Sequence, residues 1–488
     1  MKIKNLFERI EHICLQGDMN GEITGFCQDN RKVQAGDLFV CIAGARFDTH
    51  NCIDDIVARG AKLIIVERQV KAPEGVCVVL VADTRKAVPL LAAAYYNYPA
   101  EKLITVGITG SKGKTTTTHM LADILRAAGY QTATIGTNGA IIGEDIYELN
   151  NTTPDPQEVQ MYLSMMVKAG CTHAVIEVSS QGMKQHRVDG ILFDYGVFTN
   201  ISEGDHIGPN EHKDFEEYLT CKAMLIEHSK LGFVNKDDKH IDAFMKKISK
   251  PVRFFGYDQA ADYIASDVEK TFTNGNPGIS FHVNGKCQAD IVVNLPGDFN
   301  VMNALAAVSV AHAIGVEEEA MNKALGHLNI KGRIDMVYRS DKFSVCVDFA
   351  HNGYSTRNLL EALREYRPKR LVCVFGADGN RSKSRRYEMG EASGRLADLS
   401  IITAGHNRWE KFEDILTDIH VGLDKTPGSY IVIPKRQEAI RYAIEHAEEG
   451  DLITIIGLGH ETYQEENGVK YPHSDTEFVR QVIKELGL

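Results

Sequence analysis

In the stretch GITGSKGKTTTTHM, residues 107–120, several residue types that handle phosphate lie side by side. Glycines at 107, 110 and 113 let backbone N–H groups turn toward an anion. Lys114 can reach the terminal phosphates of a nucleotide, and Thr115 or Thr116 can offer a hydroxyl to Mg2+. The spacing is not that of the common phosphate loop, G-x-x-x-x-G-K-[ST], because Ile108 stands where its first glycine would be.

Two further groups belong to the same chemistry. HAVIEVSS ends an apolar run in Glu177, and a carboxylate at the C-terminal end of a parallel strand lies where such sheets bind ligands and suits Mg2+. A helix beginning at Phe215 places apolar residues at 215, 218, 219, 225 and 226, and Lys222 falls on that stripe. Such a lysine either snorkels past its neighbours to solvent or is held inward for chemistry.

These residues must be positioned by strands and helices. Apolar runs such as LFVCI, KLIIVE, CVVLVAD, LITVGIT, YGVFTNI, LVCVFGAD, LSIITAG, YIVIP and LITIIGLG alternate with segments of helical period. This predicts an α/β chain with parallel sheets and crossover helices in three blocks, 1–98, 99–331 and 332–488. A short antiparallel insertion is expected around PVRFFGYDQAADYIASDVEKTFTNGNPGISFHVNG, which is rich in β-branched and aromatic residues. With 488 residues, about three domains are expected.

The net charge of −12 and the lack of a long basic run argue against a nucleic-acid or polybasic membrane partner, so an anionic substrate must meet locally placed cations. Ten scattered cysteines without a CxxC pair read as buried reduced thiols. MKIKNLFERIEHICLQGD interrupts its apolar positions with charge and does not resemble a signal peptide, and no stretch is long enough to span a membrane. A soluble cytoplasmic protein is expected.

TGSKGKTT resembles the ATP loop of the Mur ligase superfamily, in which ATP phosphorylates a carboxylate to an acyl phosphate that an amine then attacks. NTTPDP, EVSSQGMKQHRV and the pattern FTNIS…DHIG…EH…FEEY…K are similar to the branch that adds the third amino acid to a UDP-N-acetylmuramoyl peptide in peptidoglycan synthesis. The resemblance implies an N-terminal UDP-binding domain, a central ATP-binding parallel sheet and a C-terminal Rossmann-like domain. It also implies a monomer taking ATP, UDP-N-acetylmuramoyl-L-alanyl-D-glutamate and a diamino acid, either L-lysine or meso-diaminopimelate.

Residue by residue, the resemblance assigns Gly110, Ser111, Lys112, Gly113, Lys114, Thr115 and Thr116 to the ATP phosphates. Thr115, Glu177, His206 and Lys222 would serve two Mg2+ ions, with Lys222 carrying a CO2-derived carbamate because an ammonium cannot ligate a metal. Asn30, Arg31, Asn151, Thr152, Thr153, Ser179, Gln185 and Arg187 would contact the UDP-muramoyl peptide. Asn303 would face adenine, Arg333 the ATP phosphates, Asp348 the ribose and His351 the nucleotide neighbourhood. On their own, Asn300, Asn303 and Asp348 equally suit helix caps or turns.

Arg385, Arg408 and Glu461 would bind the incoming amino acid, and Arg386 is a further candidate for its carboxylate. Here the chain departs from the family. Diaminopimelate-adding ligases carry Asp-Asn-Pro-Arg, whereas this chain has Gly405, His406, Asn407 and Arg408; it also has Leu458 where Gly-Lys-Gly-His-Glu has lysine. Asp-Ser-Arg of the uridine site becomes Asp29, Asn30 and Arg31, and Asp-Gly-His becomes Asp48, Thr49 and His50. Arg408 favours a substrate with a second carboxylate, while DHIGPNEH and GADGNRSKSRR resemble the lysine-adding branch. Three other readings remain: a diverged ligase with another acceptor, an inactive UDP-sugar-binding scaffold, and a folylpolyglutamate synthetase, which would lack the N-terminal block.

Overall fold

The structure, a computed structural model, describes residues 1–44, 47–203, 206–208, 211–273, 276–328 and 330–488. Of the segment DHIGPNEH, Asp205, Pro209 and Asn210 lie outside the described residues. The chain divides into two compact units, one built mainly from residues 1–264 and the other mainly from 321–488, with shorter pieces between assigned to each.

The first unit contains two sheets. The N-terminal one has five strands in the order Ile13–Gln16, Cys77–Leu80, Leu63–Val66, Asp37–Val40, Gly25–Cys27, parallel except at the Ile13–Gln16 edge. Apart from Asp37, its central strands are apolar because both faces are covered: Leu38, Val40, Leu63 and Ile65 join one core, and Phe39, Ile64 and Val66 join the other.

The larger sheet of this unit runs Val252–Gly256, Ser229–Asn235, Phe193–Phe198, Ile104–Thr109, His173–Glu177, Thr132–Gly136, all parallel, followed by the antiparallel Gly139–Ile142 and Asp145–Tyr147. From Ile104–Thr109 the chain first crosses toward Thr132–Gly136 and later, after His173–Glu177, emerges on the other side as Phe193–Phe198. That change of winding direction opens a crevice at the C-terminal strand ends, where ligands bind in open α/β sheets.

The second unit is a six-stranded sheet in the order Asp335–Arg339, Phe343–Asp348, Asp451–Ile456, Arg370–Phe375, Leu399–Ile402, Ser429–Val432, with only the first strand antiparallel. It also holds the expected antiparallel insertion, Ile279–Val283 paired with 289–293, and a hairpin of Tyr463–Glu466 with Val469–Pro472. Phe343–Asp348 and Arg370–Phe375 flank Asp451–Ile456, so this sheet also reverses direction at its centre. No disulfide forms among the described residues, and seven cysteines are buried. No described helix is long and apolar enough to cross a membrane.

Candidate active site

In the first unit the phosphate loop joins the buried strand Ile104–Thr109 to the helix Lys114–Ala127. Gly113 precedes the helix at φ +84°, a left-handed conformation that glycine adopts without strain. A Cβ at Gly110 would collide with the Thr199 hydroxyl. Lys114 folds back on the loop, its ammonium donating to the carbonyls of Gly110 (2.8 Å) and Ser111 (3.4 Å).

The loop is held from outside by the end of the neighbouring strand. Ser111 N–H donates to Asn200 O (2.8 Å), Lys112 N–H to Asn200 Oδ1 (2.9 Å), and Thr199 Oγ1 to Lys112 O (2.8 Å). Thr199 and Asn200 thus brace the loop, a task that the sequence does not assign to them although FTNIS contains both.

Glu177 ends the adjacent strand, paired in register with Ile108, and is fully buried. It accepts from Thr115 Oγ1 (3.0 Å), Thr137 N–H (2.9 Å) and Thr137 Oγ1 (3.1 Å). Next to it, Thr153 Oγ1 donates to Glu177 O (2.9 Å) and accepts from Ser179 N–H (2.9 Å), and Arg187 donates to Thr153 O (2.6 Å) and Gln185 Oε1 (2.7 Å). Thr152 Oγ1 lies 3.2 Å from Thr137 Oγ1. The polar residues of NTTP and SSQGMKQHR thus form one network with the carboxylate, beside which Asn151 is exposed.

The helix Phe215–Glu227 is capped by Asp214, which accepts from Glu217 N–H (2.8 Å), and carries Glu216 and Glu217 in its first turn, where the helix dipole favours negative charge. Lys222 points inward. It is 1% exposed, with Nζ 4.5 Å from the centre of the Tyr218 ring, so it does not snorkel to solvent.

Tyr218 is the hub of this corner. Its hydroxyl lies 2.7 Å from Ser111 Oγ, its ring 5.9 Å from His206 and 5.2 Å from His212. His206 is in the left-handed region (φ +56°), half-exposed, with Nδ1 3.5 Å from Glu211 Oε1. His212 is buried beside Ser180 Oγ (2.9 Å), and burial, followed by Lys184, pushes its pKa down.

The donors available to a cation are mostly oxygens. Thr115 and Glu177 sit together beside a loop built for phosphate, which fits Mg2+ bound partly by phosphate oxygens. No cluster of three or more His, Cys, Asp or Glu that could hold a metal occurs among the described residues.

The N-terminal sheet carries the remaining residues of the first unit. Arg31 makes a two-pronged contact with Asp29 (2.9 and 2.8 Å) and is otherwise exposed, with Asn30 between them half-buried. His50 donates from Nδ1 to Asp48 (2.6 Å) because its Nε2 accepts from Glu67 N–H (3.3 Å). Thr49, which replaces a glycine of the family motif, accepts from Ile42 N–H (2.7 Å).

In the second unit, Asn303 donates to Asn300 Oδ1 (3.0 Å), and Asn300 donates to Pro296 O (2.7 Å). Arg333 lies over the Phe349 ring (5.1 Å), which also contacts His351 (4.8 Å) and His460 (4.9 Å). Asp348 braces its own loop: it accepts from Ile334 N–H (2.8 Å) and Ala350 N–H (2.7 Å). Burial pushes its pKa up against the opposing pull of Arg333 and those two N–H groups.

A cavity of about 130 Å3 in the same unit brings together Arg385, Arg408 and Glu461 with His351, Asp378 and His406. Every one of these lies beyond a C-terminal strand end. Arg408 is in the left-handed region (φ +53°), pinned by its N–H to Glu465 O (3.1 Å), with its guanidinium on Asp378 (3.2 Å). Arg386, read from sequence as a candidate for the substrate carboxylate, is instead 1% exposed and bound to Glu410 and Asp418 at 2.8 Å. Consecutive helical residues point about 100° apart, so Arg385 reaches the cavity and Arg386 the interior.

A parallel-sheet crevice with a phosphate loop, a buried carboxylate and an inward lysine defines a nucleotide-dependent ligase class, and the family comparison agrees. Residues 108–311 match the Mur ligase middle domain and residues 332–459 the Mur ligase glutamate ligase domain. The chain belongs to the Mur ligase family.

More particularly, it is 36% identical over 487 residues to the UDP-N-acetylmuramoyl-L-alanyl-D-glutamate–2,6-diaminopimelate ligase of Caldanaerobacter subterraneus subsp. tengcongensis, covering 99% of each chain. It is 37% identical over 463 residues to the ligase of the same name from Aquifex aeolicus, covering 94% of each. A solved structure of a ligase of that name superposes with a TM-score of 0.72 at 27% identity, covering 100% of this chain and 99% of that one.

Proposed function

We propose that this chain is an ATP-dependent ligase that joins diaminopimelate to the D-glutamyl carboxylate of UDP-N-acetylmuramoyl-L-alanyl-D-glutamate in the cytoplasm, acting as a monomer in peptidoglycan synthesis. One observation carries the reading: Thr115 bonds Glu177 beside the loop onto which Lys114 folds, and Tyr218, against which Lys222 is buried, reaches the same loop at Ser111. The near full-length similarity to ligases named for diaminopimelate supports the choice of acceptor.

In this reading the γ-phosphoryl group of ATP passes to the D-glutamyl carboxylate oxygen, giving an acyl phosphate and ADP. The amine of the diamino acid then attacks the acyl carbon, forming the amide as phosphate leaves and the amine gives up a proton. Lys114 holds the phosphates, and Thr153, Ser179, Gln185 and Arg187 orient the peptide carboxylate beside them. Glu177 and His206, with the Thr115 hydroxyl, would hold one Mg2+ and a carbamylated Lys222 would ligate a second, which would supply positive charge where phosphoryl charge builds up. Burial of Lys222 beside Tyr218, whose hydroxyl reaches Ser111 of the loop, supports the carbamate, since an anion formed there would be kept from solvent.

Asn303, Arg333, Asp348 and His351 are proposed to bind the nucleoside and phosphates, and Asn30, Arg31, Asn151 and Thr152 the UDP-muramoyl part. The segments 1–98, 99–331 and 332–488 are proposed as the UDP-binding, ATP-binding and amino-acid-binding domains. For the acceptor, Arg385 and Arg408 suit the two carboxylates of diaminopimelate, and Glu461 its ammonium.

The test is phosphate release with ATP, Mg2+ and UDP-N-acetylmuramoyl-L-alanyl-D-glutamate, offering meso-diaminopimelate and L-lysine separately, with products identified by mass. Turnover with diaminopimelate alone is expected. Nucleotide binding without turnover on either would move the weight to a diverged ligase with another acceptor, a reading that the changed GHNR sequence favours.

A further inference from the structure

The residue that most sets this acceptor cavity apart is His406, which stands where the family's Asp-Asn-Pro-Arg has asparagine. It is 4% exposed, and both ring nitrogens are engaged. Nδ1 accepts from Glu465 N–H at 3.0 Å, so the proton sits on Nε2, which donates to Glu461 Oε2 at 2.6 Å. The backbone of Glu465 thus selects the tautomer of His406 while its carbonyl pins Arg408, and the ring of Tyr463 from the same strand packs 5.1 Å from the imidazole.

Resting on the ligase reading above, we propose that His406 is a positioning residue for acceptor recognition: it holds Glu461 by one carboxylate oxygen so that the other receives the ammonium of the incoming amino acid. An imidazole with both nitrogens satisfied inside the protein has no donor left for the substrate. Its influence passes through Glu461, an arrangement the shorter asparagine side chain cannot reproduce in the same place. The cavity therefore recognises a cationic amine through a pre-aimed carboxylate.

Two replacements separate this role from packing. Gln can place an N–H near Nε2 and keep the bond to Glu461; Asn can place a carbonyl near Nδ1 and keep only the bond from Glu465 N–H. Trp409, the single tryptophan, follows Arg408 and gives a binding signal that needs no turnover.

With meso-diaminopimelate as the probe, His406→Asn is expected to raise KM and the fluorescence Kd about tenfold, with kcat within about twofold and KM for ATP unchanged. His406→Gln is expected to stay within about threefold of the parent. In the background of Glu461→Gln, His406→Asn is expected to add nothing, a comparison that survives even if one single variant folds poorly. Equal effects of Asn and Gln, a loss in kcat alone, or additivity with Glu461→Gln would overturn the inference. A parent enzyme that turns over with no diamino acid would instead overturn the ligase reading, and the inference with it.

Discussion

Thr115 and Glu177, sixty-two residues apart in sequence, are joined by a 3.0 Å hydrogen bond between the first turn of the loop helix and the end of the neighbouring strand. The bond places a hydroxyl and a carboxylate, both hard oxygen donors, beside the phosphate loop. Glu177→Gln keeps the shape and removes the charge, so it is expected to lower kcat about 100-fold or more while the melting temperature changes little. Mg2+ titration of turnover checks this, and an unchanged rate would remove Glu177 from the metal site.

Lys222 is buried against Tyr218. Lys222→Ala is expected to abolish most turnover, with partial recovery on adding formate or acetate, which restore a carboxylate in the vacated space. Lys222→Arg, still cationic, is expected to gain nothing from either acid. Steady-state rates with and without added acid decide the matter, and rescue of neither variant would argue against a carbamate.

Arg385 and Arg386 are neighbours with different tasks. Arg385→Ala is expected to raise KM for the amino acid at nearly constant melting temperature. Arg386→Ala strips the partner from Glu410, which that guanidinium holds down to about 2, and from buried Asp418. A loss of about 3–5 kcal/mol, typical of breaking a buried pair, is expected in denaturant unfolding.

Arg408 is expected to discriminate between acceptors. Arg408→Gly, which suits the left-handed backbone, should raise KM for meso-diaminopimelate roughly tenfold to a hundredfold and leave the inhibition constant of L-lysine little changed, because only the former has a second carboxylate to lose. Competition between the two amino acids, read by product mass, tests this directly.

His460 supplies a pH dependence. Burial first, then Arg333 and Lys331, push it down from its ordinary 6.5 to about 4. The unfolded chain therefore takes up this proton before the folded one does. Its contribution to stability is intact above about pH 6.5 and is lost as pH falls toward about 4. Denaturant midpoints measured across that range should fall less steeply in His460→Gln.

Much of the scaffold was legible because central parallel strands are covered on both faces and read as unbroken apolar runs, as in LIIV and LVCVF. Ser229–Asn235 was missed: SKLGFVN mixes Ser, Lys and Asn into its strand, and its inward polar ends bond to Leu225 O and Thr199 O. Lys114, Glu177 and Lys222 could be found because each sits at a patterned position of a strand end, loop or helix stripe. Thr199, Asn200 and Tyr218 could not be ranked, since their value comes from reaching a loop about ninety to one hundred and seven residues away. The pairing of His406 with Glu461 spans 55 residues and depends on a backbone N–H from a hairpin, which no spacing rule encodes.

The folded-back Lys114 has a kinetic meaning. With its ammonium on two carbonyls of its own loop and Thr199 and Asn200 bracing that loop from the next strand, the loop draws its shape from hydrogen bonds within the protein. An arriving nucleotide exchanges partners with Lys114 instead of ordering a slack segment, and a departing one leaves the cradle set for the next. Turnover can then proceed without a refolding step at this loop, and the entropy of closing it is charged once, when the chain first folds.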